Sequence, residues 1–140
     1  RGQHINFIIP KLVDHFLEKK ASISLGNIKV EREFNDVQMV CDLYLKLLKF
    51  GIPGEIYNIC TGVTYSLESV IEILIKLTGH SIRVEVASEL IRQNEVQRLC
   101  GDPQKINELV EQNLETLPKI SLEETLKYML VNNKVHASKN

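Results

Sequence analysis

Residues 36–62 read DVQMVCDLYLKLLKFGIPGEIYNICTG. Either Asp36 or Asn35, which precedes this stretch, can cap a helix at its start, and Gly51 with the turn that follows can end the helix. The apolar residues recur at the i, i+3, i+4, i+7 spacing of one helix face, namely Val37, Val40, Cys41, Tyr44, Leu47 and Leu48. Residues 55–60 are rich in β-branched and aromatic residues and predict a strand. A helix that turns into a strand is typical of α/β proteins.

The same alternation of helix and strand continues on both sides of this stretch. Helices are predicted to begin near Pro10, Ser66, Pro103 and Ser121, because each of these residues favours a helix N-terminus. Strands are predicted over residues 22–25, 81–86 and 96–100. The pattern predicts one α/β domain over residues 1–134, followed by a flexible tail over residues 135–140.

Composition excludes several classes of partner. Seventeen Lys and Arg residues against eighteen Asp and Glu residues give a net charge of −1, so the chain lacks the basic field that nucleic-acid and acidic-membrane binders carry. No apolar run approaches the ~20 residues of a membrane span, and no signal-peptide pattern opens the sequence. We therefore expect neither nucleic acid nor membrane as a partner.

The cysteines favour a reducing compartment. Cys41, Cys60 and Cys100 are odd in number and widely spaced, and no C-x-x-C pair occurs. A disulfide scaffold and a zinc module are both disfavoured, and no metal ligand set is predicted. The sequence thus predicts a cytoplasmic location and three buried thiols that act as small hydrophobic residues.

No self-sufficient catalytic motif is present. The seven glycines form neither G-x-G-x-x-G nor a P-loop, and neither G-x-S-x-G nor H-E-x-x-H occurs. None of the four tyrosines is followed by Lys four residues later. We expect this chain alone to be inactive, to contribute no catalytic residue and to bind no dinucleotide.

Two segments offer binding chemistry, residues 32–37 and residues 92–96. The planar guanidinium groups of Arg32 and Arg92 suit bidentate contacts with phosphate oxygens, and the carboxylate of Glu95 suits sugar hydroxyls. Spacing alone favours the alternative that each is a solvated charge or a surface ion pair.

An ordered set of motifs adds a resemblance that composition does not provide. The chain resembles the second half of an extended short-chain dehydrogenase/reductase of the NAD-dependent sugar-nucleotide epimerase/dehydratase family. The resemblance covers roughly residues 2–130. Its motifs are residues 7–13 (FIIPKLV), 25–27 (LGN), 32–37 (REFNDV), 54–62 (GEIYNICTG), 65–67 (YSL), 92–96 (RQNEV) and 99–102 (LCGD).

The resemblance implies an incomplete α/β fold. The chain would be the C-terminal substrate-binding lobe, and residues 36–62 would supply the last strand and helix of a Rossmann sheet. The N-terminal half, with its glycine-rich turn and catalytic Tyr and Lys, is missing from this sequence. Full-length members use NAD or NADP, which this chain alone would not bind.

The GDP-mannose branch of the family is the most similar. Phe34 stands where its 4,6-dehydratases tend to carry Trp, which favours a GDP-4-keto-6-deoxy-mannose reductase. GDP-mannose 4,6-dehydratase and other nucleotide-sugar epimerases or dehydratases are the alternatives. A non-enzymatic sugar-nucleotide-binding or assembly module is the alternative from another class. The implied partners are a GDP-sugar or another nucleotide-sugar, and further copies of the same protein.

The resemblance also assigns roles to five residues. Ile8, through its backbone, and Lys11 would border the nucleotide base. Arg32 and Arg92 would hold the diphosphate, and Glu95 would bind the ribose hydroxyls. The alternatives are a contact at the edge of the core for Ile8 and a solvated helix-terminal cation for Lys11.

Overall fold

The computed structural model describes residues 3–4, 6–91 and 93–137, the last five of them as backbone only. Helices and short strands alternate along the chain, as the sequence predicts. The helices are α1 (Ile8–Leu17), α2 (Val37–Phe50), α3 (Leu67–Thr78), α4 (Gln104–Gln112) and α5 (Leu122–Ala137). The strands are β1 (Ser22–Leu25), β2 (Glu31–Arg32), β3 (Tyr65–Ser66), β4 (Arg83–Val86) and β5 (Arg98–Leu99).

The chain divides into two compact units. The first unit comprises residues 1–30, 66–97 and 123–140, and the second comprises residues 31–65 and 98–122. Each unit is formed by segments that are distant in sequence. The chain therefore passes from one unit to the other four times.

The first unit is built around the parallel pair of β1 and β4. Ser22 is paired with Arg83 and Leu25 with Val86. Ser66 begins α3 by accepting a hydrogen bond from the backbone N–H of Ser69 at 3.0 Å, and Gly79 ends it with a φ of 67°. These caps confirm the predicted bounds of α3. The core includes Leu12, Val13, Phe16, Ile23, Val70 and Leu74.

The second unit places a short sheet beside two packed helices. The strand order is β3-β2-β5, and β2 and β5 run parallel, with Arg32 paired with Leu99. Asp36 begins α2 by accepting the N–H of Gln38 at 2.8 Å, as predicted. The core of the second unit comprises Met39 and Leu43 from α2 with Ile106 and Val110 from α4.

The predicted inner face of α2 is corrected by the structure. Met39 and Leu43 are the buried residues, whereas Tyr44 and Leu48 are exposed, Leu48 by 84%. Val37 and Cys41 are exposed as well, while Val40 and Leu47 are partly buried. The buried face of α2 was predicted wrongly because the helix carries two adjacent apolar stripes. Helix α4 covers only one of these stripes.

Residues 55–60 form no strand within the described part of the chain. Ile56 is 84% exposed. A strand is stabilised by hydrogen bonds to a neighbouring strand, and no described segment pairs with these residues. Their contribution to a Rossmann sheet stays a prediction.

The prediction of three buried thiols is wrong. Cys41 and Cys100 are exposed, and Cys60 is half-buried. Cys41 lies on the uncovered side of α2, and Cys100 follows the exposed residues of β5. Apolar character therefore did not translate into burial at these positions.

Helix α5 extends past the predicted end of the domain. Its backbone is helical to Ala137, because no Gly or Pro interrupts the sequence between Leu122 and that residue. The remainder of the predicted tail, residues 138–140, lies outside the described residues. None of the described helices is long and apolar enough to cross a membrane.

Candidate functional site

The carboxylate of Glu33 joins three of the sequence motifs in the second unit. Its Oε1 accepts the backbone N–H of Gly101 at 2.6 Å, and its Oε2 accepts the N–H of Thr61 at 3.1 Å. Three motifs, residues 32–37, 54–62 and 99–102, therefore meet at the side chain of Glu33. Sequence reasoning did not single out Glu33, since its partners lie far away in the chain.

Gly101 permits the close approach on which this junction depends. A Cβ at this position would lie 2.7 Å from Sγ and 3.0 Å from Cβ of Cys60. Real Cβ atoms do not approach other heavy atoms so closely. The glycine of the residue 99–102 motif is therefore required by packing against Cys60.

Glu33 is held in its charged form. Partial burial alone would raise the pKa of its carboxyl, but the N–H groups of Gly101 and Thr61, with further hydrogen bonds from Cys100 and Asn35, outweigh burial and lower the pKa. Burial and the nearby Glu33 charge raise the pKa of the Cys60 thiol. The junction thus combines an anionic carboxylate with a neutral thiol.

Arg32 lies beside this junction and forms no ion pair with a described residue. It is half-buried at the end of β2, and Nη1 donates to its neighbour's carbonyl, the oxygen of Glu31, at 2.7 Å. Of the three arginines that the structure describes, Arg83 and Arg98 form ion pairs. Arg32 forms none with a described carboxylate, so its guanidinium remains able to bind an anion.

A second polar cluster joins β2, the strand that contains Arg32, to β5. Nε of Arg98 lies 3.3 Å from Oε2 of Glu31, directly across the β2–β5 pair. Thr64 donates its hydroxyl to the same oxygen at 2.6 Å. This cluster was not predicted, because β2 and β5 are each only two residues long and show no periodicity.

Ile8 and Lys11 lie in the first two turns of α1, in the first unit. Ile8 is half-buried. Nζ of Lys11 donates to the carbonyl oxygen of Ser24 in β1 at 3.2 Å, and no described carboxylate lies within ion-pair distance of it. An ammonium group has three donors, so two of them remain free for a ligand.

The carboxyl end of the β1–β4 pair is closely packed. A Cβ on Gly26 would lie 2.5 Å from the carbonyl oxygen of Leu90, in the 3-10 turn Ser88–Leu90 that follows β4. Ligands of open parallel sheets bind at the carboxyl ends of the strands. Glu95 lies five residues after this turn in the sequence.

One carboxylate oxygen of Glu95 has no hydrogen-bond donor among the described residues. Its Oε2 is shielded from solvent and accepts no hydrogen bond from any residue that the structure describes. A shielded polar oxygen without a donor is costly, and such atoms in native proteins call for an explanation. Arg92, the other residue predicted in this loop, lies outside the described residues.

The described residues include neither a glycine-rich phosphate-binding turn nor a group of metal ligands. No glycine-rich turn links a strand of either unit to a helix, whereas a dinucleotide pyrophosphate requires that turn. Within residues 3–4, 6–91 and 93–137, no three His, Cys, Asp or Glu side chains are grouped so as to hold a metal ion. The predicted site residues on these units are two cations and a carboxylate, Lys11, Arg32 and Glu95, whose chemistry suits an anionic, hydroxyl-rich ligand.

Two curated relatives act on GDP-linked deoxysugars. GDP-6-deoxy-D-talose 4-dehydrogenase of Aggregatibacter actinomycetemcomitans is 34% identical over 105 residues, 75% of this chain and 36% of that protein. GDP-6-deoxy-D-mannose reductase of Pseudomonas aeruginosa is 26% identical over 134 residues, 92% of this chain and 43% of that protein. The chain thus spans less than half the length of these relatives.

Solved structures show the same fold. A Burkholderia cenocepacia J2315 protein superposes with a TM-score of 0.89 at 36% identity, over 96% of this chain and 43% of that chain. RMD from Pseudomonas aeruginosa, solved with NADPH, superposes with a TM-score of 0.84 at 25% identity, over 96% of this chain and 45% of that chain. The predicted α/β fold, that of part of an extended short-chain dehydrogenase/reductase, is confirmed.

The family itself is decided by a match along almost the whole sequence. The model of the GDP-mannose 4,6-dehydratase family matches residues 2–129, close to the span over which the ordered motifs were found. The chain belongs to the GDP-mannose 4,6-dehydratase family of NAD-dependent epimerase/dehydratases.

Proposed function

We propose that this chain is the substrate-binding part of an NAD(P)-dependent oxidoreductase that acts on a GDP-linked sugar, a GDP-4-keto-6-deoxy-mannose reductase. The names of the two curated relatives, a 4-dehydrogenase and a reductase, support oxidation or reduction of a GDP-6-deoxy sugar. Phe34, in place of the Trp typical of the dehydratases, supports the same choice.

The unsatisfied oxygen of Glu95 carries the proposal. A ribose hydroxyl would donate the hydrogen bond that Oε2 lacks among the described residues, and a charged acceptor makes that bond stronger than a neutral one. Among the described residues Oε2 therefore remains a shielded acceptor that a sugar hydroxyl can satisfy. A carboxylate paired with one of the described residues would not leave this oxygen without a donor.

The remaining roles follow the charges of each unit. In the first unit Lys11, with two free donors, and the backbone of Ile8 border the base. In the second unit the guanidinium of Arg32, which pairs with no described carboxylate, binds the diphosphate. The sequence assigns Arg92 to the diphosphate as well. Residues 1–134 serve as the substrate-binding domain, and residues 36–62 add to a Rossmann sheet.

The complete protein would supply the rest of the chemistry. The part of the protein outside this chain binds NAD or NADP and supplies the catalytic Tyr and Lys of the family. This chain alone is inactive. We propose that the protein is cytoplasmic and homo-oligomeric and binds neither nucleic acid nor membrane.

Calorimetric titration of the chain with GDP-mannose tests the binding role. Glu95→Gln keeps the shape of the side chain but removes its charge, so affinity should fall about ten-fold. Glu85→Gln is the matched control, because Glu85 lies in the same unit and pairs only with the exposed Arg83. Equal affinities for the two variants, or no binding by the wild-type chain, would refute the proposal.

A dehydratase is the second candidate, because the matching family model is that of GDP-mannose 4,6-dehydratase. The full-length protein separates the candidates by its reaction. A reductase oxidises NADPH when given GDP-4-keto-6-deoxy-mannose, whereas a dehydratase converts GDP-mannose into the 4-keto sugar without net consumption of cofactor. Nucleotide-sugar binding with neither reaction would indicate a non-enzymatic module.

A further inference from the structure

We infer that Glu33 is a positioning residue for Arg32, and this inference rests on the proposed diphosphate-binding role of that arginine. Glu33 follows Arg32 directly in the chain and anchors two backbone segments with its two carboxylate oxygens. It would therefore act on the ligand through Arg32 and not by contact.

Two interactions hold the backbone at Arg32 and directly after it, the β2–β5 pairing and the hydrogen bond from Gly101 to Glu33. In the β2–β5 pair, Arg32 lies opposite Leu99, and Gly101 follows two residues later along the same strand direction. The 2.6 Å bond from the Gly101 N–H to Glu33 thus continues the pairing beyond the end of the two-residue strands. A two-residue ladder alone would leave the end of β2 free to fray.

Oε2 of Glu33 connects the end of β2 to the turn at residues 61–62. Oε2 accepts the Thr61 N–H at 3.1 Å, with the Thr61 hydroxyl at 3.5 Å. Thr61 in turn accepts the N–H of Val63 at 3.2 Å through its hydroxyl. Both oxygens of Glu33 are therefore occupied by protein donors, in contrast to Oε2 of Glu95.

A carboxylate is required because both backbone partners are donors. A glutamine at position 33 could accept one N–H with its single amide oxygen, but its NH2 group would face the other N–H. One of the two segments would be released, although the side chain keeps its size. Glu33→Gln thus removes the anchoring without removing the packing.

A double-mutant cycle with two ligands tests this role in the full chain. Binding of GDP and of guanosine is measured for the wild type, Arg32→Ala, Glu33→Gln and the double variant. We expect Glu33→Gln to weaken GDP binding about ten-fold and to leave guanosine binding unchanged, because only GDP carries the diphosphate. The double variant should bind GDP no more weakly than Arg32→Ala.

The outcomes separate this inference from the proposed function. If Arg32→Ala weakens GDP binding and Glu33→Gln does not, the positioning role alone is refuted. Equal losses of GDP and guanosine affinity, or additive losses in the double variant, would also refute it by indicating a general structural effect. Absence of GDP binding by the wild type would overturn both. Where Glu33→Gln fails to fold, Glu33→Asp, which keeps the charge but is too short to reach both donors, is measured in the same cycle.

Discussion

Oε1 of Glu33 lies 2.6 Å from the backbone nitrogen of Gly101, although the two residues are 68 positions apart. The hydrogen bonds to this carboxylate lower its pKa in the folded state, against the opposing effect of burial. The folded chain therefore binds the Glu33 proton more weakly than the unfolded chain does. It follows that Glu33 contributes to stability above its unfolded pKa, and that this contribution is lost as pH falls through the folded pKa.

The first prediction concerns this pH dependence. Glu33→Gln should lower the free energy of unfolding at neutral pH by about 1–3 kcal/mol, because one of the two backbone N–H groups loses its charged acceptor. The difference from the wild type should shrink as pH falls below the ordinary Glu pKa. Urea unfolding at a series of pH values measures both effects.

Glu72→Gln is the control for this experiment. Glu72 is exposed on α3, and substitutions at such positions change stability by less than about 0.5 kcal/mol. A Glu33→Gln penalty that stays constant from neutral to acidic pH would contradict the assignment of a charged Glu33.

The second prediction concerns the contact of Gly101 with Cys60. Gly101→Ala should destabilise the chain by about 1–3 kcal/mol, because its Cβ would lie 2.7 Å from Sγ of Cys60. Cys60→Ala in the same chain should recover part of this loss, since the sulfur is removed while its Cβ stays 3.0 Å away. Chemical denaturation of the single and double variants measures the recovery. Purely additive losses would argue against this contact as the cause.

Local signals predicted the helix ends well. Ser66, Gly79 and Asp36 act as caps at the positions that the sequence indicated, because capping depends on neighbouring residues only. The predicted inner face of α2 was wrong because burial, unlike capping, depends on residues that are distant in sequence. Which of two apolar stripes is buried depends on where α4 packs, and the periodicity of α2 contains no information on that point.

The candidate site was predicted through motifs and not through its internal geometry. Arg32 and Glu95 were found because they stand in segments that resemble a family. Glu33, Thr64 and Arg98 were missed because their partners are brought together only by folding, across 28 to 68 residues of chain. A polar junction of this kind leaves no periodic pattern in the sequence.

The third prediction concerns Arg92, which lies outside the described residues. If it binds the diphosphate, Arg92→Ala should weaken GDP-mannose binding by about ten-fold or more. Arg92→Lys should also lose affinity, because an ammonium group cannot form the bidentate contact. Arg83→Ala is the control, since Arg83 is exposed and pairs with Glu85. Equal affinities of Arg92→Ala and Arg83→Ala in a nucleotide titration would identify Arg92 as a solvated charge.

The fourth prediction concerns the dinucleotide. The described units provide no glycine-rich turn between a strand and a helix, and the seven glycines of the sequence are not spaced to form one. We therefore expect no measurable affinity of this chain for NAD or NADP. Calorimetric titration with each dinucleotide measures this directly, with GDP-mannose as the positive control. Tight binding of either dinucleotide would contradict the expectation.

The fifth prediction concerns self-association through the uncovered side of α2. Tyr44, Leu45 and Leu48 are exposed there, and an open groove of about 750 Å³ continues from Tyr44 and Leu48 along residues 51–60. Apolar patches larger than a few hundred Å² rarely stay exposed in monomers, so light scattering should detect dimers or larger species of the wild-type chain. Leu48→Glu should weaken that association about ten-fold or more. Leu114→Glu is the control, because Leu114 is 95% exposed and lies outside that groove. A strict monomer at high concentration, or equal effects of the two substitutions, would contradict association through α2.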